Sequence, residues 1–369
     1  MKNKMNILIT NFHKGKGGGH TTYIKSLLSD DKNKINYHVA CPSTSKLYID
    51  LNAANFNKLL SLDFTFKINT ALNTYRNIKF IRQYILDNNI EIIHTNGSSD
   101  LKTVVLCKII YGLKIKIIHT KHNNYKISLS TKIMLSRYCD KIIFVSDNQF
   151  NSFKSIFPIN KSVVIKNGID TNFWARNEFT FSESNNKINL VSSAGTAEHK
   201  GWHLLVKVLI EHPYLQKIFS ITILGRTPSH DDVIKLIGQP INELDVTFTD
   251  FIDDKNKQIE IISQKNIGFV LSTNCETISF ACREMMSLSL PVIVSDYSGL
   301  PENIIHGVNG WITKKNDINS IKNILEEISR LPIDTIRKMG LEARQKSILD
   351  FDVNTMQEKT IQLYLADKK

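Results

Sequence analysis

The chain has 369 residues, enough for two domains at the usual domain size. Its 42% hydrophobic and 22% charged content excludes a disordered chain, a collagen-like fibre and a disulfide-stapled mini-protein. The net charge of +12 is uneven: residues 1–168 hold 25 Lys and Arg against 9 Asp and Glu, and residues 169–369 hold 22 against 26. Taken in chain order, short β-branched runs alternate with helix-length periodic segments. Strands are predicted at residues 6–10, 37–41, 91–94, 116–119, 141–145 and 162–165, with helices at 20–28, 76–86, 101–111, 129–138 and 148–156 between them.

The pattern restarts after an Asn167-Gly168 turn signal and a polar stretch at 179–187. Strands follow at 188–192, 220–224, 246–249, 267–271 and 291–295, and helices at 202–210, 231–237, 256–263 and 279–287. A final set of helices runs to the C-terminus. This order predicts an α/β protein of two Rossmann-like, doubly wound parallel-sheet domains facing a central cleft. The expected division is 1–168, 169–348 and a C-terminal helix at 349–369 packing back toward the first domain. Ligands should then sit beyond the carboxyl ends of the strands.

Cys41, Cys107, Cys139, Cys275 and Cys282 are scattered, odd in number and free of any CxxC pair. They argue against a disulfide framework or zinc ribbon and fit a reducing cytosol. The longest apolar region, 101–118, is broken by Lys102, Lys108, Lys114 and Lys116, so it is not expected to span a bilayer. The run Ile7-Leu8-Ile9 is too short for a signal peptide. The expected location is cytoplasmic, or peripheral on the inner membrane. The basic first half would attract an anionic acceptor or an anionic lipid surface. No RNP strand or zinc finger accompanies it, so nucleic acid is not an expected partner.

Two stretches carry chemistry. Gly17-Gly18-Gly19 follows the first strand and precedes a helix, where a backbone can approach a phosphate closely. The spacing is not GxGxxG, so a dinucleotide reading is weak, and a plain flexible turn is the alternative. The second is Glu276-Thr277-Ile278-Ser279-Phe280-Ala281-Cys282-Arg283-Glu284. It sits at a strand-to-helix junction, with Glu276 in the loop and Glu284 about two helical turns further on. Backbone N–H groups near Ile278 and Ser279 suit phosphate, and the carboxylates suit sugar and ribose hydroxyls. A helical salt-bridge residue plus a cap is the plainer reading.

On these residues the chain resembles the retaining glycosyltransferases of the GT-B fold, glycosyltransferase family 4 (glycosyl transferases group 1), of bacterial surface-polysaccharide type. Glu276 and Glu284 match that family's E-x7-E motif. Residues 290–296, Gly299-Leu300-Pro301-Glu302, Gly307-Val308-Asn309-Gly310, residues 165–171 and His199-Lys200-Gly201-Trp202 match it in order. The resemblance implies a sugar moved from a nucleotide-sugar to a hydroxyl on a glycan or glycolipid, as in lipopolysaccharide core, O-antigen or capsule assembly. It implies no metal and no cofactor beyond the nucleotide-sugar co-substrate. His122, Lys200 and Glu276 would be catalytic, with Lys200 on the donor diphosphate. Gly17, Gly18, Gly19, Arg226, Glu276, Thr277, Ile278, Ser279 and Glu284 would complete the donor site.

One departure stands out. The family often places an Arg where this chain has Gly195, and Arg226 or His199 could substitute for it. His119 and His122 have i, i+3 spacing, but no third metal ligand presents itself nearby. Asp63, Asp100 and Asp140 are open alternatives as bases of an inverting mechanism. A sugar-nucleotide epimerase of the same fold and a non-catalytic sugar- or nucleic-acid-binding protein are the rival functions.

Overall fold

The strands are short and apolar because both faces of each sheet are covered, the requirement of an all-parallel arrangement. In the computed structural model, which describes residues 4–15, 17–29, 35–66, 71–176 and 187–366, the chain divides into two units. Unit 1 is Met1–Gly168 with Val353–Lys369, and unit 2 is Ile169–Asp352.

Unit 1 holds strands β1 (Met5–Thr10), β2 (Ile35–Cys41), β3 (Leu59–Ser61), β4 (Ile92–Thr95), β5 (Lys116–Lys121), β6 (Lys141–Phe144) and β7 (Ser162–Val164). Its helices are α1 (Gly19–Leu28), α2 (Lys46–Ala53), α3 (Ala71–Asp87), α4 (Ser98–Tyr111), α5 (Leu129–Tyr138) and α6 (Asp147–Phe153). The sheet order is β3-β2-β1-β4-β5-β6-β7, parallel throughout. Side-chain alternation along β1 splits the core in two. Ile7 and Ile9 pack with Tyr23 and Ile24 of α1, while Leu8 packs with Leu101 and Val104 of α4.

Unit 2 holds β8 (Ile188–Ser192), α7 (Trp202–Glu211), α8 (Pro213–Gln216), β9 (Phe219–Ile223), α9 (His230–Ile237), β10 (Val246–Phe248) and α10 (Lys255–Ser263). β11 (Ile267–Val270), α11 (Phe280–Ser287), β12 (Val292–Ser295), β13 (Gly310–Thr313), α12 (Ile318–Ser329) and α13 (Ile333–Phe351) follow. The sheet order is β10-β9-β8-β11-β12-β13, again parallel. Ile293 faces one core cluster and its neighbours Val292 and Val294 the other.

The sequence reading differs from the structure in particular places. The helix α2 and the short edge strands β3 and β13 carry too little periodicity to announce themselves. Residues 349–351 finish α13 instead of opening a new helix; the chain turns extended at Asp352, where the Ile169 N–H donates to the Phe351 carbonyl at 2.8 Å. The last helix, α14 (Val353–Leu365), belongs to unit 1, with Met356, Ile361 and Tyr364 in the cluster of Ile7 and Ile9. The polar stretch at 179–187 lies, save for Lys187, outside the described residues.

Candidate active site

Strand order reverses between β8 and β11 in unit 2 and between β1 and β4 in unit 1. At such switch points the loops leaving the two strands diverge and open a crevice. In unit 2 these loops carry Lys200 and Glu276. Gly201, at φ 73°, lies so close to β11 that a Cβ there would stand 2.0 Å from the Leu271 carbonyl oxygen. The Thr273 N–H also donates to the His199 carbonyl at 2.8 Å. These two contacts bring the loops together, and Lys200 Nζ donates to Glu276 Oε2 at 2.8 Å. Ser272 Oγ donates to the same oxygen at 3.2 Å. His199 is held below its usual range by burial and by the adjacent Lys200 charge.

Beyond Glu276 the chain runs to α11. Ser279 caps the helix, accepting from the Cys282 N–H at 3.2 Å. The Thr277 carbonyl accepts from the Gly299 N–H at 3.1 Å, which fastens the Gly299–Glu302 turn to this loop. Among the described residues, the N–H groups of Thr277, Ile278 and Ser279 donate no hydrogen bond to protein. Such groups just before a helix are ready donors for an anion. Glu284 sits on the second turn of α11 and is buried. Burial pushes its carboxyl above the usual range, opposed by the Lys255 charge.

Gly195 adopts φ 88°, a backbone conformation that strains any residue with a Cβ, so an arginine is disfavoured there. Gly225 packs against it, and Thr196 Oγ1 donates to the Arg226 carbonyl at 2.6 Å. Arg226 is thereby tied to the Gly195 loop by backbone, with its side chain exposed at a groove of about 410 Å³ that also exposes Thr196 and Lys235.

In unit 1, Gly17 (φ 93°) and Gly18 (φ 149°) form the approach to α1, with Gly18 as its N-cap and no side-chain cap. Gly19 opens the helix. The loop is pinned where the Lys46 N–H donates to the Gly15 carbonyl at 2.9 Å. His122, just past β5, bonds through Nε2 to Asn96 Oδ1 at 2.9 Å. Asn96 Nδ2 donates to the Thr10 and His94 carbonyls at 3.1 and 3.3 Å. Its Oδ1 therefore accepts, which assigns the proton to His122 Nε2 and leaves a lone pair on Nδ1. Burial, then the neighbouring His20, His119, His94 and His13, hold His122 well below its usual pKa, so it is a neutral imidazole.

Asn96 was not visible as a functional residue in the sequence. Its one signal is its place directly after a strand. Asp100, an open candidate as a base, is instead buried and accepts from Thr10 Oγ1 at 2.8 Å and the Asn96 N–H at 2.9 Å. Burial pushes it up to about 7. Asp63 pairs with Lys14, and Asp140 accepts from the Ile117 N–H at 2.8 Å. His119 Nδ1 bonds Thr95 Oγ1 at 2.9 Å. Among the described residues no group of three or more His, Cys, Asp or Glu is placed to hold a metal ion.

Known proteins share this architecture. Over 100% of both chains, it superposes on a glycosyltransferase from Rickettsia africae with a TM-score of 0.84 at 19% identity. The Anabaena protein HepE, solved in complex with UDP and glucose, aligns over 98% of this chain and 100% of its own, with a TM-score of 0.78 at 18% identity. The fold is GT-B. Residues 175–346 match the family model described as glycosyl transferases group 1, and residues 17–173 match glycosyltransferase family 4. Each unit thus matches a glycosyltransferase family model. An O-antigen biosynthesis glycosyltransferase of Escherichia coli, WclY, is 28% identical over 56% of this chain and 61% of its own length. The chain spans 59–61% of the first curated relatives it matches.

Proposed function

We propose that this chain is a glycosyltransferase that moves a sugar from a nucleotide-sugar to a hydroxyl of an anionic glycan or glycolipid, with retained anomeric configuration, in surface-polysaccharide assembly. The observation that carries this reading is the Lys200–Glu276 pair beside three undonated backbone N–H groups at a strand-order switch point. Departure of a nucleoside diphosphate places new negative charge on its phosphates. Lys200 and the N–H groups of residues 277–279 would meet that charge together, and fixed donors of this kind stabilise developing charge strongly. In this reading no divalent metal takes part. Glu276 would turn to donor-sugar hydroxyls once the phosphate engages Lys200, and buried Glu284 would accept from the ribose. HepE's complex with UDP and glucose supports this class of donor.

Gly17, Gly18 and Gly19 would approach a phosphate through their backbone N–H groups. His122, neutral and protonated on Nε2, would accept a hydrogen bond from a sugar hydroxyl at Nδ1. The acceptor hydroxyl would attack on the face the phosphate leaves, with a phosphate oxygen taking its proton. Arg226 would act as the second phosphate cation.

Peripheral attachment to an anionic membrane belongs to the same proposal. Leu129 (73% exposed) and Ile133 (51%) lie one turn apart on α5, with Lys132 and Arg137 on the same helix. No described helix is long and apolar enough to cross a membrane. A thermal-shift screen of UDP-, GDP- and ADP-sugars tests the donor class, because a ligand at 100 times its Kd adds about 2.7 kcal/mol. Stabilisation by one family of nucleotide-sugars is the expected result; no shift with any of them removes the proposal.

A further inference from the structure

Unit 1 contains a cavity of about 330 Å³ beyond the carboxyl ends of β4 and β5. Lys102, Lys121 and Lys126 are among its lining residues, and no Asp or Glu is. Lys121 is the unusual one. It is only 7% exposed, yet its Nζ meets only neutral acceptors, Asn123 Oδ1 at 3.4 Å and the Tyr125 carbonyl at 3.3 Å. The Phe153 ring lies 4.5 Å away. Among the described residues, none of these three lysines forms an ion pair with a carboxylate. Burying a cation without a counter-charge is costly, and burial drops the Lys121 ammonium to about 8. Asp100, the nearby buried carboxyl, is turned to Thr10 and the Asn96 backbone and does not line the cavity.

We propose that this cavity binds a phosphate or pyrophosphate group of the acceptor, with Lys121 as the central cation and Lys102 and Lys126 beside it. Three lysines exceed what a single carboxylate would neutralise, and compact ammonium groups suit a multiply charged phosphate. His122 shares the same wall, so a sugar attached to that phosphate would lie against an imidazole able to accept from its hydroxyls. Gly17, Gly18 and Gly19, the loop proposed for the donor phosphates, do not line this cavity. The anion site stands on the geometry of unit 1 alone. Its assignment to the acceptor rests on the transfer reading above.

The test is calorimetric titration of the full chain with inorganic pyrophosphate while saturating UDP holds the donor site, and separately with UDP and with glucuronate, in the native protein, Lys121→Gln and Lys121→Arg. We expect pyrophosphate to bind the native protein, to bind Lys121→Gln at least tenfold more weakly, and to recover in part with Arg. UDP should bind all three equally, which also reports that the variants are folded. Acylation of Lys121 in the native protein, read by mass spectrometry, should slow at least fivefold with pyrophosphate and remain unchanged with UDP or glucuronate. Lack of pyrophosphate binding, or a Lys121 rate untouched by it, overturns the site. Protection by UDP assigns the cavity to the donor and overturns the acceptor assignment; better protection by glucuronate overturns the phosphate one. Loss of transfer activity in a Lys200 variant would leave all these readings unchanged, so the two proposals fail separately.

Discussion

At the β8–β11 end of unit 2 a lysine and a glutamate meet at 2.8 Å, whereas at the β1–β4 end of unit 1 neutral imidazoles pack against one another at tilted angles. The His13 and His20 ring centroids are 3.8 Å apart, and those of His20 and His122 are 4.3 Å apart. The same strand order therefore builds two different electrostatic environments. In unit 2 the charges are fixed by a glycine contact and remain matched. In unit 1 burial strips protons from the histidines, and the uncompensated positive charge resides on lysines at the cavity wall. On the two proposals above, the first crevice would meet charge that appears during a reaction, and the second charge that arrives with a ligand.

The most damaging substitution expected is Lys200→Ala. It should cut kcat by about 10²–10³-fold, the usual cost of losing a fixed donor to a developing anion. Glu284→Ala should also lower transfer sharply, with circular dichroism confirming the fold. Normal turnover by both variants would remove the charged crevice from the chemistry.

Next comes Gly201→Ala, which places a methyl against the Leu271 carbonyl at a positive φ. A loss of about 1–3 kcal/mol in urea unfolding is expected. UDP affinity should fall with it, because Lys200 loses its seat.

Acidification acts on the buried imidazoles of unit 1. His94 and His119 are buried and pushed down to about 3, so the unfolded chain binds their protons first as pH falls below about 6.5. The stability they contribute is present above that pH and is lost progressively as pH falls toward 3. Asp100, raised to about 7 by burial, works in the opposite sense between about 4 and 7. His20 is likewise pushed down to about 3 and His122 well below its usual range, so these imidazoles outweigh one carboxyl and unfolding free energy should decline from pH 6.5 to 5. Each net proton bound by the unfolded chain contributes a slope of about 1.4 kcal/mol per pH unit. A melting temperature that rises over this range would contradict the neutral cluster.

The smallest effect expected is at Asn96. Asn96→Ala should lower transfer only several-fold, while nitrogen NMR of His122 shifts from the Nε2–H tautomer to a mixture. An unchanged tautomer would mean that Asn96 does not set the orientation of the imidazole.

Much of this protein was written locally. Alternating β-branched and helical periodicity depends on neighbours in sequence, so the strand–helix order could be read directly. The E-x7-E stretch and Lys200 fall after strands for the same reason. Short elements such as β3 and β13 could not be read, because three or four residues acquire their conformation from the strand beside them. Which loops meet depends instead on contacts between residues far apart in the chain. Strand order sets Gly201 against Leu271, and α14 returns Tyr364 to His94, 270 positions away, at 2.6 Å. The burial of Lys121 was equally invisible: a lysine in a basic stretch looks like solvated surface until the elements around it close off the water.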